Sequence, residues 1–324
     1  MISNRTSADP HITVILPAYN EAAGIHLTLA DVASHLQTLI PDWDVVVIDD
    51  GSIDHTSKVV RELPDDLRTT LVRFSRNFGK ENAITAGLEY ARGDVVVCMD
   101  ADGQHSLELL GEMLAKWREG YDMVYAVRAS RGDESHFKRW GTRFFYKILS
   151  FGGEVDIPSD AGDFRLMDRK VVDALRSLPE RNRFMKGIYS WVGYKSISIP
   201  YTPKQRLYGE SAYSKMRLMQ LAWTGIMSFS VAPLRLASVV GSVLALIAFI
   251  YGIVVVVDKV FFHESAPGWP TLIACLMFFS GVQLLFIGIL GEYLAHVYNE
   301  VKNRPNYIVA EVVSARDTHR QDHS

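Results

Sequence analysis

Two stretches of the chain carry no charge at all: 22 residues from Leu236 to Val257 and 27 residues from Ser265 to Gly291. As helices rising about 1.5 Å per residue, each is long enough to cross a hydrocarbon layer about 30 Å thick. The core helix of a soluble protein rarely stays uncharged for so long. A membrane hairpin is therefore predicted, with spans at 236–257 and 265–291. Lys215, Arg217 and Arg235 precede the first span, Lys302 and Arg304 follow the second, and the Asp258–Glu264 connection is short and nearly neutral. Because basic residues collect on the cytoplasmic side of a membrane, both ends of the hairpin, and with them the large N-terminal region, are expected to face the cytoplasm. No early apolar stretch of signal-peptide length is present. Tyr251 and Trp269 are candidate interfacial anchors.

The remaining sequence alternates strand and helix. Apolar, β-branched runs recur at Ile12–Leu16, Val45–Ile48, Thr70–Phe74, Val95–Met99 and Met123–Val127, each bounded by Asp, Gly or Pro, as strands buried on both faces require. Helical stretches at Ala22–Leu39, His55–Leu63, Lys80–Ala91 and Leu107–Glu119 separate them. This order predicts a mostly parallel α/β sheet with a ligand site beyond the carboxyl ends of the strands. No Gly-x-Gly-x-x-Gly follows a strand and no Gly-Lys-Ser/Thr loop occurs, which argues against a dinucleotide oxidoreductase or a P-loop NTPase. Cys98 and Cys275 match no zinc spacing and point to a reducing compartment. Further along, Phe137, Trp140, Phe144, Phe145, Ile148 and Leu149 form an aromatic stripe at helical spacing. The segment from Met216 to Val231 reads as an interfacial helix.

Charge is unevenly placed. Met1–Leu110 holds 17 acids against 8 bases, whereas Glu180–Arg235 holds 9 bases against 2 acids, so one region suits a cation and the other an anion. The acids gather at strand ends: Asp49, Asp50 and Asp54 follow the second strand, Asp100 and Asp102 the fourth. Carboxylates spaced by one residue in such a turn suit oxygen ligation of Mg²⁺ or Mn²⁺, with phosphate completing the shell. The same residues also serve as helix caps and Asx-turns. Two acidic clusters on two strands favour a metal and a nucleotide diphosphate.

The motifs Pro17-Ala18-Tyr19-Asn20-Glu21, Asp49-Asp50-Gly51-Ser52, Arg76-Asn77-Phe78-Gly79-Lys80, Asp100-Ala101-Asp102-Gly103-Gln104 and Gly162-Asp163-Phe164-Arg165-Leu166 stand in the order seen in family 2 glycosyltransferases. The chain resembles their polyprenyl-phosphate hexosyltransferase branch, which includes bactoprenol glucosyltransferases and dolichol-phosphate mannose synthase. Arg206-Leu207-Tyr208-Gly209-Glu210-Ser211 before the first span, and Gly291-Glu292-Tyr293 through Arg304-Pro305 after the second, extend the likeness from Ile12 to Val309. The resemblance implies a GT-A type α/β domain with a mostly parallel sheet over residues 1–205. Interfacial helices at 206–235, spans at 236–257 and 265–291 and a cytoplasmic tail at 292–324 would follow.

The resemblance also implies roles. Pro17, Tyr19, Glu21, Asp50, Lys80 and Asp100 would bind the donor. Asp100, Asp102 and Gln104 would hold Mg²⁺ or Mn²⁺ against its diphosphate. Asp163 or Asp160, with Asp102, would be the catalytic carboxylates, and Arg128, Arg131, Arg165, Arg206 and Ser211 would bind the acceptor phosphate. Gly103 and His105 stand where relatives often have Leu and Asp, and Ala212 stands where relatives often have Lys, which shifts weight onto Arg206. The expected reaction is metal-dependent, inverting transfer of a hexose, with UDP-glucose ahead of GDP-mannose and other sugar nucleotides, to a polyprenyl (undecaprenyl) phosphate, for modification of cell-envelope glycans. The expected enzyme is an inner-membrane homo-oligomer with no nucleic-acid partner. Two alternatives are a processive polysaccharide synthase, for which Lys138-Arg139-Trp140 lacks the usual Gln, and a non-catalytic sugar-nucleotide-binding membrane subunit. With both ends of the hairpin in the cytoplasm, a C-terminal epitope tag is expected to be labelled only after cells are permeabilised; labelling of intact cells would reverse the orientation.

Overall fold

The computed structural model describes residues 9–103, 106–128, 161–181, 183–202, 232–262 and 268–314. Two units divide them: residues 232–262 and 268–303 form one, and the remainder, including 304–314, forms the other. Gln104, Asp160, Arg131, Arg206, Ser211, the aromatic stripe at 137–149 and the interfacial segment at 216–231 lie outside the described residues.

In the larger unit the expected strands all form: β1 (Ile12–Ala18), β2 (Trp43–Asp49), β3 (Thr69–Phe74), β4 (Val95–Cys98) and β5 (Met123–Arg128). Three more join them, β6 (Ala161–Asp168), β7 (Ser196–Tyr201) and β8 (Val309–Ser314), in the order β7-β5-β6-β4-β1-β2-β3-β8. β1 to β4 pair in parallel; β6 runs antiparallel to both β4 and β5, and β8 antiparallel to β3. The central strands are buried on both faces, Val14, Val45, Val95 and Val97 being fully covered, which explains why they read as continuous apolar runs.

The helices follow the strands as expected, with trimmed ends: α1 (Ile25–Leu39), α2 (Thr56–Arg61), α3 (Lys80–Tyr90) and α4 (Leu109–Arg118), then α5 (Arg169–Ser177) and α6 (Met185–Trp191). α1 buries Ile25, Leu29, Val32 and Leu36, spaced at three and four residues, against the sheet. α3 approaches so closely that a Cβ at Gly87 would stand 2.2 Å from Ile15 Cγ2.

The carboxyl ends of the parallel strands are locked to one another. Asn20, at φ 58°, accepts at its side-chain oxygen from the Ile53 amide (3.0 Å), while its own amide donates to the Ser52 hydroxyl (2.9 Å). The amides of Glu21 and Ala22 donate to Thr56 Oγ1 (2.9 Å) and Asp54 Oδ2 (3.1 Å). The turn after β1 is thereby fastened to the turn after β2. Gly51 sits at φ +66°, and a Cβ there would lie 2.3 Å from the Arg76 carbonyl carbon.

The smaller unit contains two long helices, α7 (Ala232–Phe262) and α8 (Trp269–Val301). Both contain windows long and apolar enough to cross a membrane, Leu234–Val254 and Cys275–Val301, and neither window is buried within the protein. The second helix begins at Trp269. Pro270 falls in its first turn, where a missing N–H costs nothing, and Gly268 precedes it. Within the expected tail at 292–324, α8 continues to Val301 and residues 309–314 form β8 at the sheet edge.

Replacing Gly51 by alanine forces both a left-handed backbone and a clash with backbone atoms. Gly51→Ala is expected to cost about 2–3 kcal/mol. In a thermal melt of the purified protein this lowers the midpoint by roughly 5–10 °C.

Candidate active site

At the carboxyl end of the sheet a lysine stands between two carboxylates. Lys80 opens α3, and its Nζ lies 2.5 Å from Asp100 Oδ1 in the turn after β4 and 2.5 Å from Asp163 Oδ2 on β6. The antiparallel ladder of β4 and β6 sets Cys98 opposite Arg165, so Asp100 and Asp163, two residues beyond that pair on either strand, converge on the same ammonium. All three side chains are half-buried. Burial opposes the lysine's charge, but Asp163 and Asp100 outweigh it and raise its pKa well above the ordinary value, so it stays ionised through the working pH range.

Behind this cluster lies Glu81. Its Oε2 accepts the Met185 amide at the start of α6 (3.1 Å), and burial, reinforced by the neighbouring Asp163 charge, pushes its carboxyl up to about 7. Cys98, fully buried beneath, is pushed up by the same desolvation and is therefore an unreactive thiol.

The turn after β4 also borders a shallow cleft. Glu21 from the first motif and Asp102 line it together with Thr28 and Gly103. Thr28 donates from α1 to the Ala101 carbonyl (3.1 Å) and so holds that turn against α1. Tyr19 stands nearly half exposed at the end of β1, with Pro17 two residues before it in the strand. Asp100 and Asp102 offer only hard oxygen donors on a partly exposed turn, and this donor set fits Mg²⁺ or Mn²⁺. Among the described residues no group of three His, Cys, Asp or Glu forms a metal cage by itself.

Two expected site residues have other partners. Asp50, expected at the base and ribose, is 4% exposed, and its two oxygens accept the Phe78 (2.7 Å) and Gly79 (2.9 Å) amides. Burial raises its pKa and those amides oppose the rise. It builds the loop that delivers Lys80. Arg165, expected at the acceptor phosphate, is 2% exposed: Nη2 donates to the Gly162 carbonyl (2.8 Å) and the guanidinium lies 3.5 Å from the centre of the Tyr189 ring. β6 runs between β4 and β5, where Arg165 lies opposite Cys98 on one side and Tyr125 on the other, so its guanidinium is engaged within the protein rather than presented at an open surface. Arg128 is the last residue of β5, at the same end of the sheet as the cluster. Glu81, Thr28 and Tyr189 were missed, since nothing local in the sequence marks a helix glutamate or tyrosine as covered.

A half-buried Lys–Asp–Asp cluster and a carboxylate-lined cleft thus stand together at the strand ends of a mixed α/β sheet of GT-A-like fold. Residues 13–176 match the model for glycosyl transferase family 2, and residues 232–297 match that for the GtrB C-terminal hairpin. The chain belongs to glycosyltransferase family 2. It is 42% identical over 298 residues to the uncharacterized glycosyltransferase YkcC of Bacillus subtilis (strain 168), covering 92% of each chain. It is 40% identical to the bactoprenol glucosyl transferase of Shigella phage SfII, covering 92% of this chain and 97% of that one. Among solved structures, glucosyl-3-phosphoglycerate synthase from Mycobacterium tuberculosis, in complex with Mn²⁺, uridine diphosphate and phosphoglyceric acid, superposes with a TM-score of 0.50 at 19% identity. The match covers 70% of this chain and 80% of that one and is a likeness of fold.

The raised Glu81 pKa has a signed consequence. The native state holds a proton that the unfolded chain releases near 4.5, so stability falls as pH rises from about 4.5 to about 7. Each unit of such a shift corresponds to about 1.4 kcal/mol. Glu81→Gln, which keeps an acceptor for Met185, is expected to flatten that fall. A difference in melting midpoint from the parent that does not grow between pH 5 and pH 7.5 would remove the assignment.

Proposed function

We propose that the protein transfers a hexose from a nucleotide diphosphate to a polyprenyl phosphate, inverting the anomeric centre, at the cytoplasmic face of a membrane. The observation that carries this reading is the Lys80 ammonium held between Asp100 and Asp163, beside the cleft that Glu21 and Asp102 share. The paired apolar helices and the likeness to proteins named bactoprenol glucosyl transferase support a lipid-linked acceptor. UDP-glucose is the proposed donor, and undecaprenyl phosphate the proposed acceptor.

In this reading Pro17, Tyr19 and Glu21 receive the nucleoside, and Asp100 and Asp102, with Gln104, hold Mg²⁺ or Mn²⁺. When bound, the metal screens the charge that grows on the departing diphosphate. Lys80 adds a fixed positive charge at the same end of the sheet and keeps two carboxylates together that otherwise repel. The acceptor is already anionic at neutral pH, so its oxygen needs orientation and screening more than a strong base. Asp163 faces the sugar or the incoming phosphate and orients it. Arg128, Arg131, Arg206 and Ser211 supply the acceptor-phosphate contacts, where Arg forks onto phosphate oxygens. Cytoplasmic placement of the catalytic unit follows from the basic residues that flank the hairpin.

The test is transfer of labelled sugar into organic-extractable lipid by the purified full-length protein, with undecaprenyl phosphate, Mg²⁺ and parallel UDP- and GDP-sugars. One donor is expected to label the lipid, and a chelator to abolish the labelling. Donor binding with no transfer to lipid would favour a non-catalytic subunit. Asp102→Asn is expected to lower metal-dependent transfer about 100-fold or more. Near-normal rates in that variant would end its assignment as a ligand.

A further inference from the structure

Arg165 is chemically out of place. A guanidinium on a central strand, 2% exposed, stands where an apolar residue of similar volume would pack without polar cost. Its Nε and the Tyr189 hydroxyl are both buried and, among the described residues, without a hydrogen-bond partner. An unpaired buried polar group is destabilising, so stability alone does not account for the pair. Such groups are retained where they hold something that function needs.

What Arg165 holds is an irregularity in β6. In the β5–β6 ladder Tyr125 pairs with Arg165 but Val127 pairs with Ala161, so four residues of β6 span what two residues of β5 span. The extra length lies in the stretch Gly162, Asp163 and Phe164 between those pairs. Bulges of this kind re-aim a side chain beside an active site. Arg165 Nη2 donates to the Gly162 carbonyl at 2.8 Å, within the bulge, while the guanidinium lies over the Tyr189 ring at 3.5 Å and Nη1 reaches Met123 Sδ at 3.4 Å. Tyr189 belongs to α6, whose first amide donates to Glu81, the neighbour of Lys80. Lys80 in turn pairs with Asp163. The contacts close a ring: Asp163, Lys80, Glu81, α6, Tyr189, Arg165, Gly162 and back to Asp163.

We propose that Arg165 is a positioning residue for Asp163, clamping the β6 bulge through the Gly162 carbonyl and the Tyr189 ring so that the Asp163 carboxylate meets Lys80 and Asp100. The inference rests on the reading of Asp163 as the carboxylate that orients the sugar or acceptor. Arg165 contacts neither substrate. Its loss therefore degrades the rate of transfer and leaves lipid-phosphate binding intact.

The experiment uses the full-length protein in detergent micelles, with labelled UDP-glucose, undecaprenyl phosphate and Mg²⁺. Arg165→Met, Arg165→Lys, Asp163→Asn and the double variant Arg165→Met/Asp163→Asn are compared by kcat, by KM for each substrate and by thermal melting. Arg165→Met is expected to lower kcat about 100-fold while KM for undecaprenyl phosphate changes by less than about twofold. Arg165→Lys keeps a donor for the Gly162 carbonyl and is expected to lose less, which preserves the test if the Met variant does not fold. Because both residues act through one carboxylate, the double variant is expected to be no slower than Asp163→Asn alone. An unchanged kcat with a lipid KM raised about tenfold or more would make Arg165 a phosphate ligand and overturn the proposal, as would losses that add in the double variant. Asp163→Asn on its own reads the underlying site assignment: normal transfer by that variant removes the role of Asp163, whatever Arg165 does.

Discussion

One ammonium group, Lys80 Nζ, holds two carboxylates at a distance where they would otherwise repel, and the geometry of the site depends on it. Asp100 and Asp163 arrive from strands that run in opposite directions, β4 outward from the core of the parallel sheet and β6 back into it. An exposed ion pair contributes about 0–1 kcal/mol. A half-buried cation facing two anions is held more firmly, because without it the two partly desolvated carboxylates would face each other unscreened. The resulting site is preorganised before any substrate arrives, and stabilisation of charge that develops during a reaction requires such preorganisation.

The scaffold supplies the precision. Lys80 is delivered by the Arg76–Gly79 loop, and that loop is fixed from two sides: Asp50 accepts two of its amides, and Gly51 permits its backbone to approach the turn after β2. The segment that follows α8 reinforces the same loop. Tyr307 stacks on Phe74 at 4.8 Å and its hydroxyl donates to Glu89 (2.5 Å), Phe74 meets Phe78 edge to face at 5.8 Å, and β8 pairs with β3. Chain from beyond the second apolar helix is thus part of the catalytic unit's sheet. The strand was not legible, because its more exposed positions, Ala310 and Val312, are apolar and Glu311 stands on the less exposed face, so it shows no apolar–polar alternation.

Much of the fold was legible. The five strands from Ile12 to Arg128 are buried on both faces and so declare themselves by composition, and the helices between them by their three- and four-residue spacing. The acidic turns at Asp49–Asp50 and Asp100–Asp102 stand at strand ends, as the sequence implied. β6 was recognised as a motif and not as a strand, because the register shift between Ala161 and Arg165 breaks the alternation. The burial of Arg165 was not legible either: an arginine in a family motif looks like a surface cation, and the cover comes from distant residues, Tyr189 of α6 and Tyr125 and Met123 of β5.

The sequence by itself determined which segments are buried, which can cross a membrane and where acids gather, because hydropathy, uncharged length and strand ends are local properties of a chain. Tertiary structure alone decided which acids meet which base. The Lys80–Asp163 pair joins residues 83 positions apart, and the antiparallel return of β6 beside β4 makes that contact. Periodicity reports how a residue is covered but not by what. The partner of a charge, and with it the difference between a ligand and a clamp, is set by strand order and register in the folded sheet.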